Sequence, residues 1–456
     1  MEPPLKIANA SGFWGDQPGA AARLVADQPD IDFLTLDYLA EVSLSIMAIM
    51  RENDPAAGFA RDFVDVVRSL CPFWSAGGGA RVVTNAGGLD PEACASACAD
   101  ALGAAGLGRM RVAAVTGDDV LPLLRSAGGG FVNLETGAPL SDVAGRLVTA
   151  NAYLGAGAIA DALRAGADIV VTGRVADPSL TVGPCIARFG WPLGDYDLLA
   201  GATVAGHIIE CGTQACGGFS TDWLDLPGNL SIGFPIAEVS PDGSCVVTKP
   251  AGSGGAVSVQ TVREQLLYEV GDPGGYLSPD ATVSFLTLRV DPVAPDRVRV
   301  SGATGRAPPD SYKVSAAYRD GYRAHGMLTV FGHDAVKKAR RAGEGVLRRL
   351  QREGCVYRDR LVECLGTGAS VCGIASRMSD THLVETVLRV SVASDARQDV
   401  ERFAKEMAPL VTCGPQGVTG YAAGRPRVVP VFGYWPTLVP RSAVSPSFRV
   451  LEGPRP

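Results

Sequence analysis

The stretch RVVTNAGGLDPEACASACADAL, residues 81–102, decides how this chain folds. Its first residues have the β-branched composition of a buried strand. A short Asn85-Ala86-Gly87-Gly88 turn follows. Asp90 then stands where a helix N-cap accepts backbone N–H groups, and Pro91 fits the first helical position. A strand that passes through a glycine-bearing turn into a helix is the half-unit of a sheet wrapped by helices.

The ending of that strand recurs. Val83-Thr84-Asn85 is matched by Val115-Thr116-Gly117, Val148-Thr149-Ala150, Val171-Thr172-Gly173 and Val247-Thr248-Lys249. In α/β proteins, ligands bind in the crevice outside the carboxyl ends of strands. Several of these endings lead to polar groups, among them Asn85, Asp118, Asn151, Arg174 and Lys249. Good strand composition alone also accounts for a Val-Thr pair, so the repeat favours a shared edge without proving one.

Working outward, residues 6–11 read as a first strand and 32–38 as a second, delivering Asp37 and Tyr38. Residues 18–27 read as a helix between them. The runs 147–153 and 167–174 bracket the helix GAIADALRAG and read as a β-α-β unit. From about residue 230, short strands alternate with Pro, Gly and Asp turns. A basic helix over 333–353 opens an αββα-like tail, and the five prolines of 414–440 suggest a wrap over the body. The fold expected is α/β: a mostly parallel sheet with flanking helices, open and doubly wound in preference to a closed barrel. A mixed antiparallel layer and a smaller α+β C-terminal lobe complete it. The segments are 1–229, 230–332 and 333–456.

Composition narrows the function. The 456 residues are 46% hydrophobic and 20% charged, as in a globular protein with a sizeable core. A net charge of −7 argues against nucleic-acid and membrane-surface partners. No apolar run approaches a membrane span, and the N-terminus lacks the basic region of a secretory signal. Eleven scattered cysteines fit reduced thiols in a cytoplasm.

The densest chemistry lies in GHIIECG, residues 206–212. On a helix, His207 shares a face with Glu210 and Cys211, and offers a base beside an acid and a thiol. The alternative is a helix end in which His207 is satisfied by backbone and Cys211 packs as a small hydrophobe. Asn85 with loop N–H groups is a candidate for stabilising an oxyanion, and Ser11 belongs to a similar loop after the first strand. Arg174 is a candidate clamp for an anionic group, or the partner of Asp177 in a structural ion pair. Lys249 with Gly254 and Gly255 suggests an anion cradle before a helix, or simply a turn. Asn151 completes the set of binding candidates. A divalent ion held by Asp37, Asp177 or Asp222 with His207 is a minority reading. Zinc on His207, Cys211 and Cys216 matches no common spacing. His333 reads as a helix cap, His325 as part of a Gly-rich turn, and His382 as the start of a strand.

Taken together, IANASGFWGD, FLTLDYLAE, VVTNAGGLDP, GADIVVTGRVADPSL, AGHIIECGTQACGG, VTKPAGSGGAVS, EQLLYEVGDPGGYLSPD and CGPQGVTGYAAGRPR resemble the acyclic terpene utilisation (AtuA-type) family. That family takes its name from bacterial citronellol and geraniol breakdown, whose intermediates are branched acyl-CoA thioesters. The resemblance implies an enzyme on a small carboxylated acyl substrate, an acyl thioester with CoA as part of it. The reaction implied is a retro-aldol C–C cleavage or its reverse, the role proposed for the family being cleavage of a 3-hydroxy-3-isohexenylglutaryl thioester. A hydrolase or acyl transferase using Cys211, and a non-catalytic binding or assembly protein, are the alternatives. No resident cofactor is firmly implied, a divalent metal stays open, and a homo-oligomer is expected from general prevalence.

Overall fold

The computed structural model describes residues 2–126, 129–371 and 383–451. Eight strands organise the site: β1 (Leu5–Asn9), β2 (Phe33–Leu36), β3 (Arg81–Thr84), β4 (Val112–Thr116), β5 (Leu147–Ala152), β6 (Ile169–Thr172), β7 (Ile236–Val239) and β8 (Cys245–Thr248). Five of them form a parallel centre in the order β1-β2-β3-β6-β4. On the β1 side the sheet continues antiparallel through β7, β8 and the strands Arg297–Ser301 and Arg289–Ala294. On the β4 side it ends with the antiparallel strand Ser447–Leu451. The result is one open, mixed sheet of ten strands, not a closed barrel.

Burial on both faces explains the near-continuous apolar runs. Ala8, Leu34, Val82, Ala114 and Val171 share a core with the helices Ala20–Asp27, Asp62–Ser75 and Pro91–Ala104. Residues alternating with them, such as Ile7, Val83 and Val170, are equally buried. Helices Ser179–Phe189 and Tyr196–Ile209 contact β1, β2 and β7. Each fully buried Val or Leu contributes about 1.5–3 kcal/mol of transfer free energy.

Two expectations change here. Part of the antiparallel layer expected after residue 230 is an extension of the main sheet, because β7 pairs directly with β1. Three short strands, Tyr276–Leu277, Thr282–Ser284 and Thr304–Arg306, do form a separate small sheet. The β-α-β unit read over 147–174 is not formed in the main sheet. β5 pairs with the long strand Ser311–Phe331, and Tyr153 N–H donates to the Lys313 carbonyl at 2.9 Å. Strand composition shows that a segment is extended, not which partner it takes.

The Val-Thr endings now sort themselves. β8 is two antiparallel steps from β1 and therefore runs in the same direction. Thr84, Thr116, Thr172 and Thr248 consequently lie at one edge of one sheet, the carboxyl edge of the parallel strands. Thr149, on β5, does not end a strand of this sheet.

The chain divides into two compact units, Met1–Ala317 with Tyr434–Pro456, and Tyr318–Gly433. The smaller unit contains helix Ala335–Arg352, strands Asp359–Leu365 and Glu385–Ser394, and helix Arg397–Glu406. His325 lies within the strand Ser311–Phe331, paired with Ser391, rather than in a turn. The N-cap of the basic helix is Asp334, and the exposed His333 lies against its carboxylate. Within 414–440, Val418–Tyr421 and Val429–Pro440 are strands. His382 lies outside the described residues.

Candidate active site

The loops at the carboxyl edge converge on Asp37, one residue past β2. Its Oδ1 accepts from Asn85 Nδ2 at 2.7 Å and from Leu39 N–H at 3.1 Å. Asn85 is itself fixed, since its Oδ1 accepts from Tyr38 N–H at 2.6 Å. Asn85 therefore orients a carboxylate with one of the two N–H groups of its amide. Burial pushes the Asp37 carboxyl up to about 6. The charge of Arg174 and the Asn85 bond oppose that rise, while Glu210 adds to it.

His207 and Glu210 come from the end of helix Tyr196–Ile209. His207 Nδ1 lies 3.0 Å from Glu210 Oε1, so the shared helical face expected from their spacing is formed. With the carboxylate accepting, Nδ1–H is the donor and Nε2 is the basic nitrogen. Nε2 and Glu210 Oε2 are buried without a hydrogen-bond partner among the described residues. Buried polar atoms are nearly always paired, so these two are open to a partner such as a water or a ligand.

Two contacts bring this pair to the strand edge. Asn9 Nδ2, at the end of β1, donates to the Ile209 carbonyl at 2.6 Å. Gly12 lies so close that an added Cβ would fall 2.6 Å from Gly212 N. Ser11 secures the same loop: its hydroxyl donates to the Asp37 carbonyl at 3.1 Å. Tyr276 and Phe285 cover the His207 ring, each with its centroid 5.8 Å away. Gln265 Nε2 donates to the His207 carbonyl at 3.0 Å, and its Oε1 is buried and unpartnered. Gln265, Tyr276 and Tyr153 escaped the sequence reading. Gln265 alone left a signal there, as a polar residue three positions after Val262 on a buried helix face.

Arg174 is 2% exposed and its guanidinium is engaged. Nε donates to the Val175 carbonyl, Nη1 to Leu39 and Nη2 to Asp177. The pair with Asp177 is formed, and Arg174 acts as a fixed positive charge rather than a free clamp. Its face stacks on Tyr153 at 4.6 Å. Arg174 N–H donates to Asp118 Oδ2, which also accepts from Asn151 Nδ2, both at 2.8 Å. Burial pushes Asp118 up to about 6 as well. Asn151 Oδ1 and the Tyr153 hydroxyl are buried without partners.

Cys211 is in a different position from the one a nucleophile needs. Burial drives its thiol up, and the neighbouring Glu210 adds to the rise. A reactive thiolate needs the opposite surroundings. Lys249 donates to the Ser253 carbonyl at 2.7 Å and lies 3.2 Å from Asp296. Gly254 and Gly255 do not form an anion cradle: their N–H groups donate to the Ser231 and Pro227 carbonyls. Gly255 needs glycine for a different reason, a φ of +75° and a Cβ position 2.3 Å from the Cys216 carbonyl oxygen. Among the described residues, no group of three or more His, Cys, Asp or Glu side chains is placed to hold a metal ion. The His207, Cys211 and Cys216 set is not gathered as a ligand group.

An open sheet with flanking helices and a cluster of buried ionisable groups at its strand edge defines a mixed α/β protein. The model of the acyclic terpene utilisation family protein AtuA matches residues 5–450, and the chain belongs to that family. No curated protein and no solved structure matches it. Among the described residues, no helix is long and apolar enough to cross a membrane.

Proposed function

We propose that the protein is an enzyme that cleaves a C–C bond in a small carboxylated acyl thioester by a retro-aldol step. The observation that carries this reading is the His207–Glu210 pair with its unpartnered Nε2, together with an Asp37 carboxyl raised to about 6 partly by the charge of Glu210. Such a step needs a base and an acid of matched strength in one water-poor place. His207 Nε2 takes the proton of the substrate's tertiary hydroxyl. The carbinol carbon becomes a ketone as its bond to the neighbouring CH2 breaks. The electron pair leaves on the departing acetyl fragment as an enolate, and protonated Asp37 returns a proton to it. Nothing is oxidised or reduced. Arg174, held in place by its own bonds, supplies positive charge beside the developing anion. Membership of a family named for acyclic terpene utilisation agrees with a branched acyl substrate. The high thiol of Cys211 gives the acyl-transfer alternative no comparable support.

The test uses 3-hydroxy-3-isohexenylglutaryl thioester and follows release of the acetyl unit. His207→Ala should lower turnover by about 10²–10⁴-fold, the usual worth of a general base, with the circular dichroism spectrum unchanged. Turnover within a few-fold of the parent protein overturns the assignment.

A further inference from the structure

The smaller unit differs in charge from the chain that contains it. Residues 318–433 hold 18 Lys and Arg against 12 Asp and Glu, while the whole chain has 41 against 48. Much of that excess lies on helix Ala335–Arg352. Between this helix and the short helix Leu410–Cys413 runs a groove of about 510 Å³. That is the size of a site for a small organic ligand.

One wall of the groove is cationic and its floor is apolar. Lys337, Lys338, Arg341 and Arg349 line it, against the single carboxylate of Asp334. Lys337 and Arg349 are committed, to Asp334 at 3.1 Å and Glu406 at 2.7 Å. Lys338 reaches a neutral partner, Gln416, at 3.4 Å. Arg341 is exposed and forms no ion pair among the described residues. Arg349 Nη2 is buried and without a hydrogen-bond partner. Ala342, Val346 and Leu410 supply the buried apolar floor.

Gly345 is the second observation. It sits in the middle of an 18-residue helix, where glycine is a poor helix former. The neighbouring Gly343 has a packing reason: an added Cβ would fall 2.7 Å from Val362 Cγ1. Gly345 has none, for a Cβ there would meet nothing within 4 Å. It lines the groove on the same helical face as Lys338, Arg341 and Arg349. The missing side chain leaves the floor uncovered between Arg341 and Arg349, eight residues and about 12 Å apart along the axis at 1.5 Å rise per residue.

We infer that this groove binds a phosphorylated small molecule of nucleotide type. The phosphates meet Lys338 and Arg341, and the planar base lies over Gly345 and the apolar floor. The inference stands apart from the proposed reaction, because its readout is binding. Isothermal titration of the full chain with adenosine diphosphate, and separately with inorganic pyrophosphate, tests it. The nucleotide should bind, and Arg341→Glu should weaken it at least tenfold. Gly345→Leu should also weaken it at least tenfold while the thermal midpoint stays equal or rises, since leucine is the better helix former. Pyrophosphate should bind more weakly than the nucleotide and be indifferent to Gly345→Leu. No binding of adenosine diphosphate overturns the inference. So does nucleotide binding that Gly345→Leu leaves intact, which would show attraction to a charged surface and no built site.

Discussion

At the scale of single residues, the site is a set of buried charges held by neutral donors. Asp37 leans on Asn85, and Asp118 on Asn151 and the Arg174 N–H. Both carboxyls sit near 6 in the folded state, above the ordinary 3.8. A raised carboxyl binds more protons folded than unfolded between those values. Its contribution to stability is therefore full below about pH 4 and is lost as pH rises through 6. Asp118→Asn keeps an acceptor but cannot ionise. Relative to the parent, the variant should gain about 1–3 kcal/mol in denaturant unfolding at pH 8 and nothing at pH 4. An equal difference at both pH values would show that Asp118 does not carry the titration. The sequence named Asp37, Asn85, His207 and Glu210 because their types suit acid–base work and their positions follow strands or share a helix face. It offered the Arg174–Asp177 pair as an alternative but could not place Leu39 against Arg174 or Asp296 against Lys249, because those partners lie far along the chain.

At the scale of elements, one dipeptide does different work at different strand ends. The Thr84 hydroxyl donates to the Leu36 carbonyl at 2.8 Å and accepts from Ala86 N–H at 3.1 Å, all buried. It ties the ends of β2 and β3 to the loop that carries Asn85. Thr116 pairs with Ser447 in an exposed place. Thr84→Val should cost about 1–3 kcal/mol by stranding buried groups, and Thr116→Val no more than about 0.5 kcal/mol. Thermal unfolding of the two variants measures the contrast, and equal losses would refute it. β1, β2, β3, β4 and β6 were legible because burial on both faces writes itself as an unbroken apolar run. β5 has the same composition and a different partner, so its place was not legible. Nor was the direction of β8, which depends on β7 standing between it and β1.

At the scale of the whole molecule, the larger unit is discontinuous and the smaller one is inserted into it. Strand Ser447–Leu451 covers the edge of β4 along five paired residues. An uncovered edge is a template for pairing with another chain. Deleting residues 447–451 should therefore yield species larger than those of the full chain at micromolar concentration, read by sedimentation velocity. A deletion variant with the parent's sedimentation profile would show that the edge needs no cover. A sheet wrapped by helices was predictable from strand and helix alternation, which fits an open sheet and a barrel alike, but an edge supplied from 331 residues away was not. That separation also orders events in time. A ribosome adding about 5–20 residues per second delivers the covering strand on the order of tens of seconds after β4. Throughout that interval the nascent sheet is unfinished, and the inserted unit emerges in its later part. The growing chain thus has a built-in window of aggregation risk, in which a chaperone at the ribosome would have most to protect.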